Sequence, residues 1–293
     1  MRPKALLRNA VRSVPALNQL LFLKGAIKGH FYSPVPSLRE LRARHGAIFG
    51  NIPREIHAGL DLRETEQFDF ARELVDRFYK EQPFSDEFLN TGQFTWCDAI
   101  TLYSMIRHSA PSRVIEIGCG RSSLVTLETD RRFFHDTIKC TLIEPNPSIE
   151  VRKAIHDYRN VTLVENQVQD VTLDTFTQLE PADILFIDSS HVSKVGSDVN
   201  HIFFEILPRL QTGVRIHFHD IFYPFDYPEE WIFCEGRAWN EAYMLRAFLQ
   251  FNPSYTIVLW MNYLIRFHRE FFQVRAPLFL NDPGGSIWVQ KIG

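Results

Sequence analysis

The chain has 293 residues, with 32 Lys plus Arg set against 35 Asp plus Glu and a formal charge of −3. That length buries a substantial core, and the near-balanced charge leaves no electrostatic footprint for a nucleic acid or another strongly charged partner. The four cysteines, Cys97, Cys119, Cys140 and Cys234, form no CxxC pair, which argues against a zinc knuckle or disulfide framework and agrees with a reducing compartment, the cytoplasm.

The N-terminal stretch MRPKALLRNAVRSVPALNQLLFLKGAIKGH is basic, and its apolar patch, Leu20 to Leu23, ends at Lys24. Four apolar residues cannot span a bilayer, so no transmembrane segment is expected. The segment reads as a helix packed on its own domain or on a second copy in a homo-oligomer, and peripheral membrane contact stays open. Up to about residue 92 the chain reads as helices and loops broken by Pro34, Pro36, Pro53 and Pro83. Within it, Phe68, Ala71, Leu74, Val75 and Phe78 recur at helical spacing. Residues 1–92 are therefore taken as an accessory region and 93–293 as the main domain.

From Thr91 the pattern changes. The helical run DAITLYSMIRH leads into strands expected at Arg113 to Gly118, Ile138 to Glu144, Val161 to Glu165, Asp183 to Asp188 and Gly213 to Asp220. Most are continuous apolar runs, as strands covered on both faces require. A crossover helix is predicted before the fifth strand, with Val195, Val199, Ile202, Phe203, Ile206, Leu207 and Leu210 on one stripe. The last two strands, Tyr255 to Trp260 and Ser286 to Ile292, show no helical pattern between them and are predicted to pair antiparallel. The fold class is α/β: a doubly wound, Rossmann-like sheet of seven strands, mostly parallel, closed by a C-terminal antiparallel hairpin.

Four motifs stand at strand ends: VIEIGCGRSS, LIEPNPS, ADILFIDSSH and HFHDIF. Their order resembles the class I S-adenosylmethionine (SAM)-dependent methyltransferases, and within them the branch of metal-dependent sugar O-methyltransferases of macrolide biosynthesis. The likeness covers about the last two-thirds of the chain. Gly118 and Gly120 permit close backbone approach, Glu116 suits the ammonium of a SAM methionine moiety, and Ser122 and Ser123 are counted with them as cofactor-binding residues, capping of the following helix being their purely structural reading. Glu144, closing the second strand, suits the two ribose hydroxyls. The resemblance implies that Asp170, with Gln169 before it, reaches the adenine amino group.

Asp188 and Asp220 each end a buried strand on the ligand-binding edge of the sheet, so two carboxylates converge there. Such a pair suits Mg²⁺, which would bind an acceptor hydroxyl, and His191 then takes the proton. The family pattern has two acids where this chain has His219 followed by Asp220. A ligand set of Asp188, His219 and Asp220 moves the preference towards a transition metal, or the metal is absent. His217 and His219 share a strand face, and one of them reads as a buried core histidine. In the aromatic stretch that follows, Tyr223, Arg237 and Trp239 are candidates to contact an acceptor, a sugar, a glycoconjugate or another small polar or aromatic molecule. Two other classes stay in view: an NAD-type oxidoreductase, which explains only the glycine turn and Glu144, and a non-catalytic SAM-fold interaction protein, which leaves DSSH and HFHD unexplained.

Overall fold

A computed structural model describes residues 29–50, 52–56 and 59–293. The basic segment before residue 29, with its open membrane reading, lies outside the described residues. The described chain divides into two compact units: residues up to Pro53 together with Pro228–Ala238, and Arg54–Tyr227 together with Trp239–Gly293. The smaller unit holds the short helices Leu38–Ala43, His45–Ile48 and Glu229–Phe233, the last two tied by a 2.7 Å bond between His45 Nε2 and Glu229 Oε2. The Phe49 and Phe233 rings meet edge to face at 6.0 Å.

The larger unit is built on seven strands: β1 (Arg113–Ile117), β2 (Lys139–Ile143), β3 (Val161–Val164), β4 (Ile184–Ile187), β5 (Arg215–Phe218), β6 (Tyr255–Trp260) and β7 (Ile287–Lys291). Their order is β3-β2-β1-β4-β5-β7-β6. The first five run parallel, while β7 pairs antiparallel with both β5 and β6. Order reverses between β1 and β4, the neighbours on either side of the switch point where open α/β sheets bind ligands. All four residues of β4 and four of the five in β1 are buried, which is why β4 reads as an unbroken apolar run and β1 as one interrupted only by Glu116.

Among the described residues, four helices of the larger unit reach nine residues or more: α1 (Glu64–Phe78), α2 (Trp96–Ser109), α3 (Arg121–Phe133) and α4 (Glu241–Leu249). Helix α1 buries Ala71, Leu74, Val75 and Phe78 of the stripe read from the sequence and leaves Phe68 half-buried, and it belongs to the larger unit. Two expectations need correction. The crossover helix starts only at Asp198, passes through a π-helical turn at Ile202–Ile206, and leaves Val195 fully exposed in the loop before it. The connection from β6 to β7 is not a bare loop: it holds helices Met261–Phe267 and Arg269–Arg275 and a 3₁₀ turn at Pro277–Leu280. These helices are seven residues or fewer and rich in Phe, so their period was too short to register against the aromatic background. No helix among the described residues is long and apolar enough to cross a membrane.

Candidate active site

The sheet edge carrying the C-termini of the parallel strands supports the site. At the end of β1 the backbone turns at Gly118, with φ of 84°, where a Cβ would collide with the Asp188 carbonyl oxygen. Only glycine lets β1 leave the sheet this close to the end of β4. The turn enters α3, where Ser123 Oγ accepts a 3.1 Å bond from the Gly120 N–H. Ser122 Oγ donates to Glu116 Oε1 at 2.5 Å. Glu116 is fully buried, its Oε2 has no partner, and burial pushes its carboxyl up to about 8. A buried carboxyl oxygen without a donor is a standing cost that a cationic ligand group would relieve.

Beside this turn lies a cleft of about 550 Å³ whose lining includes Gly118, Glu144, Gln169, Asp188, Lys194 and Asp198. Glu144 follows β2 and is half-buried, with Oε1 accepting a 2.8 Å bond from the Asn146 N–H. Gln169 reaches the cleft, but its amide already donates to Gly196 O at 2.8 Å. Asp170 ends a 3₁₀ turn, is exposed, and is not part of that lining. Ser122 and Ser123 are likewise buried supports of the turn.

The ends of β4 and β5 bring a second set of groups together. Donor atoms of Asp188, His191 and Asp220 all lie within 4.8 Å of one another. His191 Nε2 stands 3.3 Å from Asp188 Oδ1 and 3.5 Å from Asp220 Oδ2, and its Nδ1 is 2.8 Å from Glu241 Oε2. Glu241 is 1% exposed and also accepts a 2.9 Å bond from Ser189 Oγ. The first amides of α4 close on the same residue: the His191 carbonyl accepts from Asn240 N–H at 3.0 Å and from Glu241 N–H at 3.2 Å. Burial opposes a charged ring here, yet the bonds to Asp188 and Glu241 outweigh it and raise the His191 pKa to about 10. Burial likewise opposes the ionised Asp188, and His191 and His219 hold its carboxyl below the usual range.

His219 sits at the margin of this set, its Nε2 3.7 Å from Asp220 Oδ1 and its buried Nδ1 without a partner. The three-residue grouping takes His191 where the sequence suggested His219. His217 is the core histidine of the pair: it is buried, stacks on Phe186 at 3.9 Å, and burial drives its pKa well below the ordinary value.

The acceptor candidates separate. Trp239 is half-buried with its rings 4.3 Å from the His191 ring, beside the cluster. Tyr223 is 4% exposed and packs against Trp260, Tyr263 and Phe267, an inward position that its loop setting did not reveal. Arg237 belongs to the smaller unit, where its guanidinium lies over the Trp231 ring at 3.9 Å and pairs with Glu235 at 2.6 Å. Glu241 and Asn240 carry no local signal of a role in the sequence, because their partners, His191 and Ser193, lie some fifty positions earlier.

Residues 115–221 match the family described as a methyltransferase domain, an interval running from β1 through Asp220. An uncharacterized protein of Archaeoglobus fulgidus is 39% identical over 160 residues, covering 52% of this chain and 72% of that protein. Among solved structures, the SAH-bound methyltransferase PaMTH1 of Podospora anserina is similar at 17% identity, covering 88% of this chain and 98% of that one with a TM-score of 0.45. The O-methyltransferase from Bacillus cereus in complex with SAH is similar at 14% identity, covering 74% and 88%, with a TM-score of 0.35. The matched interval contains the glycine turn and both Asp188 and Asp220, so this stretch of the chain is similar to a methyltransferase domain.

Proposed function

We propose that this chain transfers the methyl group of SAM to a hydroxyl oxygen of a small acceptor, and that Asp188, His191 and Asp220 hold a divalent cation that binds that hydroxyl. The observation that carries the reading is the double position of Asp188, which lines the cleft beside Glu144 and also belongs to the three-residue cluster. One side chain thus joins the cofactor side to the acceptor side.

The residues fit SAM by their chemistry. Glu116 offers an unpartnered buried carboxylate oxygen to the methionine ammonium. Glu144 offers a carboxylate at the strand end where ribose hydroxyls are bound in this kind of sheet. Gln169 flanks the adenine end of the cleft, and Asp170, exposed beside it, has no second observation in support. The bound cofactor supplies an electrophilic methyl group.

Two carboxylates and an imidazole suit Mn²⁺, Fe²⁺ or Zn²⁺ better than an all-oxygen set would, while Mg²⁺ remains compatible through the carboxylates. Such an ion supplies Lewis acidity to a bound hydroxyl. Glu241, on the far nitrogen of His191, fixes the ring and leaves Nε2 facing the two aspartates. That arrangement favours His191 as a ligand over His191 as the proton acceptor. Trp239 presents an apolar wall beside it, suited to a sugar ring or an aromatic acceptor.

The test is a thermal-shift panel with SAH, NAD and Mn²⁺, followed by transfer of labelled methyl from SAM to a set of glycosides and catechols with and without EDTA. The reading expects stabilisation by SAH, none by NAD, and EDTA-sensitive transfer. Stabilisation by NAD would move the chain to the oxidoreductases, and stabilisation by neither would favour a binding module. EDTA-resistant transfer would remove the cation from the mechanism.

A further inference from the structure

We infer that Asp98, on α2 and remote in sequence from the cluster, is a positioning residue that sets the backbone of Asp220 through the loop Gly284–Gly285–Ser286. The inference rests on the reading that Asp188, His191 and Asp220 hold a cation.

Asp220 has a φ of 58°, in the left-handed region, which Asp enters more readily than most non-glycine residues but still at a cost that its surroundings must offset. Its neighbour supplies one constraint: the Ile221 N–H donates to the Gly285 carbonyl at 2.7 Å. Gly285 lies so close that a Cβ there would stand 3.2 Å from Asp220 Cα and 2.8 Å from the Phe222 ring. Asn262 supplies the next constraint, accepting from the Tyr223 N–H at 3.0 Å and donating to the Gly284 carbonyl at 3.1 Å. The backbone on the C-terminal side of Asp220 is therefore held in place by the glycine loop.

The loop in turn is shaped by one carboxylate. Asp98 Oδ2 accepts from the Gly285 N–H at 3.2 Å, and Asp98 Oδ1 accepts from Ser286 Oγ. A Cβ on Gly284, which has a φ of 70°, would strike the Asp98 carboxylate itself. Asp98 is 5% exposed, so both oxygens are committed to this loop and not to solvent. Thr95, just before α2, adds a 2.6 Å bond to Asp282 at the loop's start. Gly285 passes the position on to the segment that carries Asp220.

The experiment measures Mn²⁺ affinity by electron paramagnetic resonance, SAH affinity by calorimetry, and thermal stability, on the full chain and its variants. Asp98→Asn loses one acceptor oxygen and is expected to weaken Mn²⁺ binding at least about tenfold, the scale of losses behind a ligand, with SAH affinity held within about twofold. Ser286→Ala keeps the Gly285 bond to Asp98 and is expected to lose about threefold for Mn²⁺, carrying the test if Asp98→Asn does not fold. Equal losses for Mn²⁺ and SAH would mark general loosening and overturn the inference, as would wild-type Mn²⁺ binding in both variants. Absence of Mn²⁺ binding in the wild type would overturn the cation reading first, and this inference with it.

Discussion

The cofactor side and the acceptor side of the site are built in opposite ways. At the ends of β1 and β2 the supports are local: Ser122 and Ser123 serve Glu116 and Gly120 from within the same turn, and Asn146 serves Glu144 from two residues away. At the ends of β4 and β5 the supports are distant. Glu241 holds His191 from fifty residues on, and His191 and Asp220 both sit in left-handed backbone, with φ of 58° each. The proposed nucleoside site is thus carried by regular strand–turn–helix geometry, while the proposed ion site depends on pieces that meet only in the folded chain.

The largest effect should come from the residue common to both sides. Asp188→Ala is expected to lower methyl transfer by about a thousandfold or more, because it removes a carboxylate from the cluster and from the cleft at once. Asp220→Asn should reach a similar loss in turnover while SAH affinity measured by calorimetry stays near wild type. If Asp220→Asn weakens SAH as much as Asp188→Ala does, the division into two sides is not functional.

Next comes the distant support. Glu241→Ala leaves a buried histidine facing the cavity its partner vacated, and breaking such a buried pair costs about 3 kcal/mol of stability. Thermal denaturation should show it, and the loss of ion affinity should exceed the loss of SAH affinity. On the cofactor side, Glu144→Ala should leave the fold intact and weaken SAH by about 2 kcal/mol, near 30-fold, as expected when charged hydrogen bonds to ribose are lost. Unchanged SAH affinity in a folded Glu144→Ala protein would withdraw the ribose assignment.

The most specific effect concerns pH, and it is the smallest per step, about tenfold for each pH unit. With the Glu116 carboxyl raised to about 8 by burial, it is protonated at neutral pH in the unliganded chain. An ammonium group pairs with the ionised form, so binding must expel a proton below pH 8. SAH affinity should rise about tenfold per pH unit up to that point and then level off. The unliganded chain should move the other way: a carboxyl raised in the folded state adds stability at acid pH, and that contribution is lost as pH climbs from the ordinary carboxyl range through 8. Glu116→Gln should flatten both slopes, and calorimetry across pH 6 to 9 would show slopes that persist if another group is responsible.

These differences also explain what could be read in advance. The parallel strands were legible because their burial on both faces leaves mostly continuous apolar runs, and the glycine turn because the side chains that brace it, Ser122 and Ser123, are sequence neighbours. Tyr223 was misplaced because an aromatic after a strand end looks the same whether it turns inward to Trp260 and Tyr263 or outward to a ligand. The helices between β6 and β7 were missed because each is about two turns long. Asp98 gave no signal at all: a lone acid in the first turn of a helix has a local explanation, and the loop it shapes lies 187 residues further on.

The position of β7 between β5 and β6 has a consequence for biosynthesis. As the chain emerges from the ribosome, β6 has no strand to join until β7 follows, so the parallel half of the sheet can be complete while the edge strand waits. The glycine loop that rests on Asp98 and abuts Asp220 leads directly into β7. A nascent chain therefore completes the strands around the proposed nucleoside cleft first, and the last strand to insert is the one that brings the glycine loop against the segment carrying Asp220.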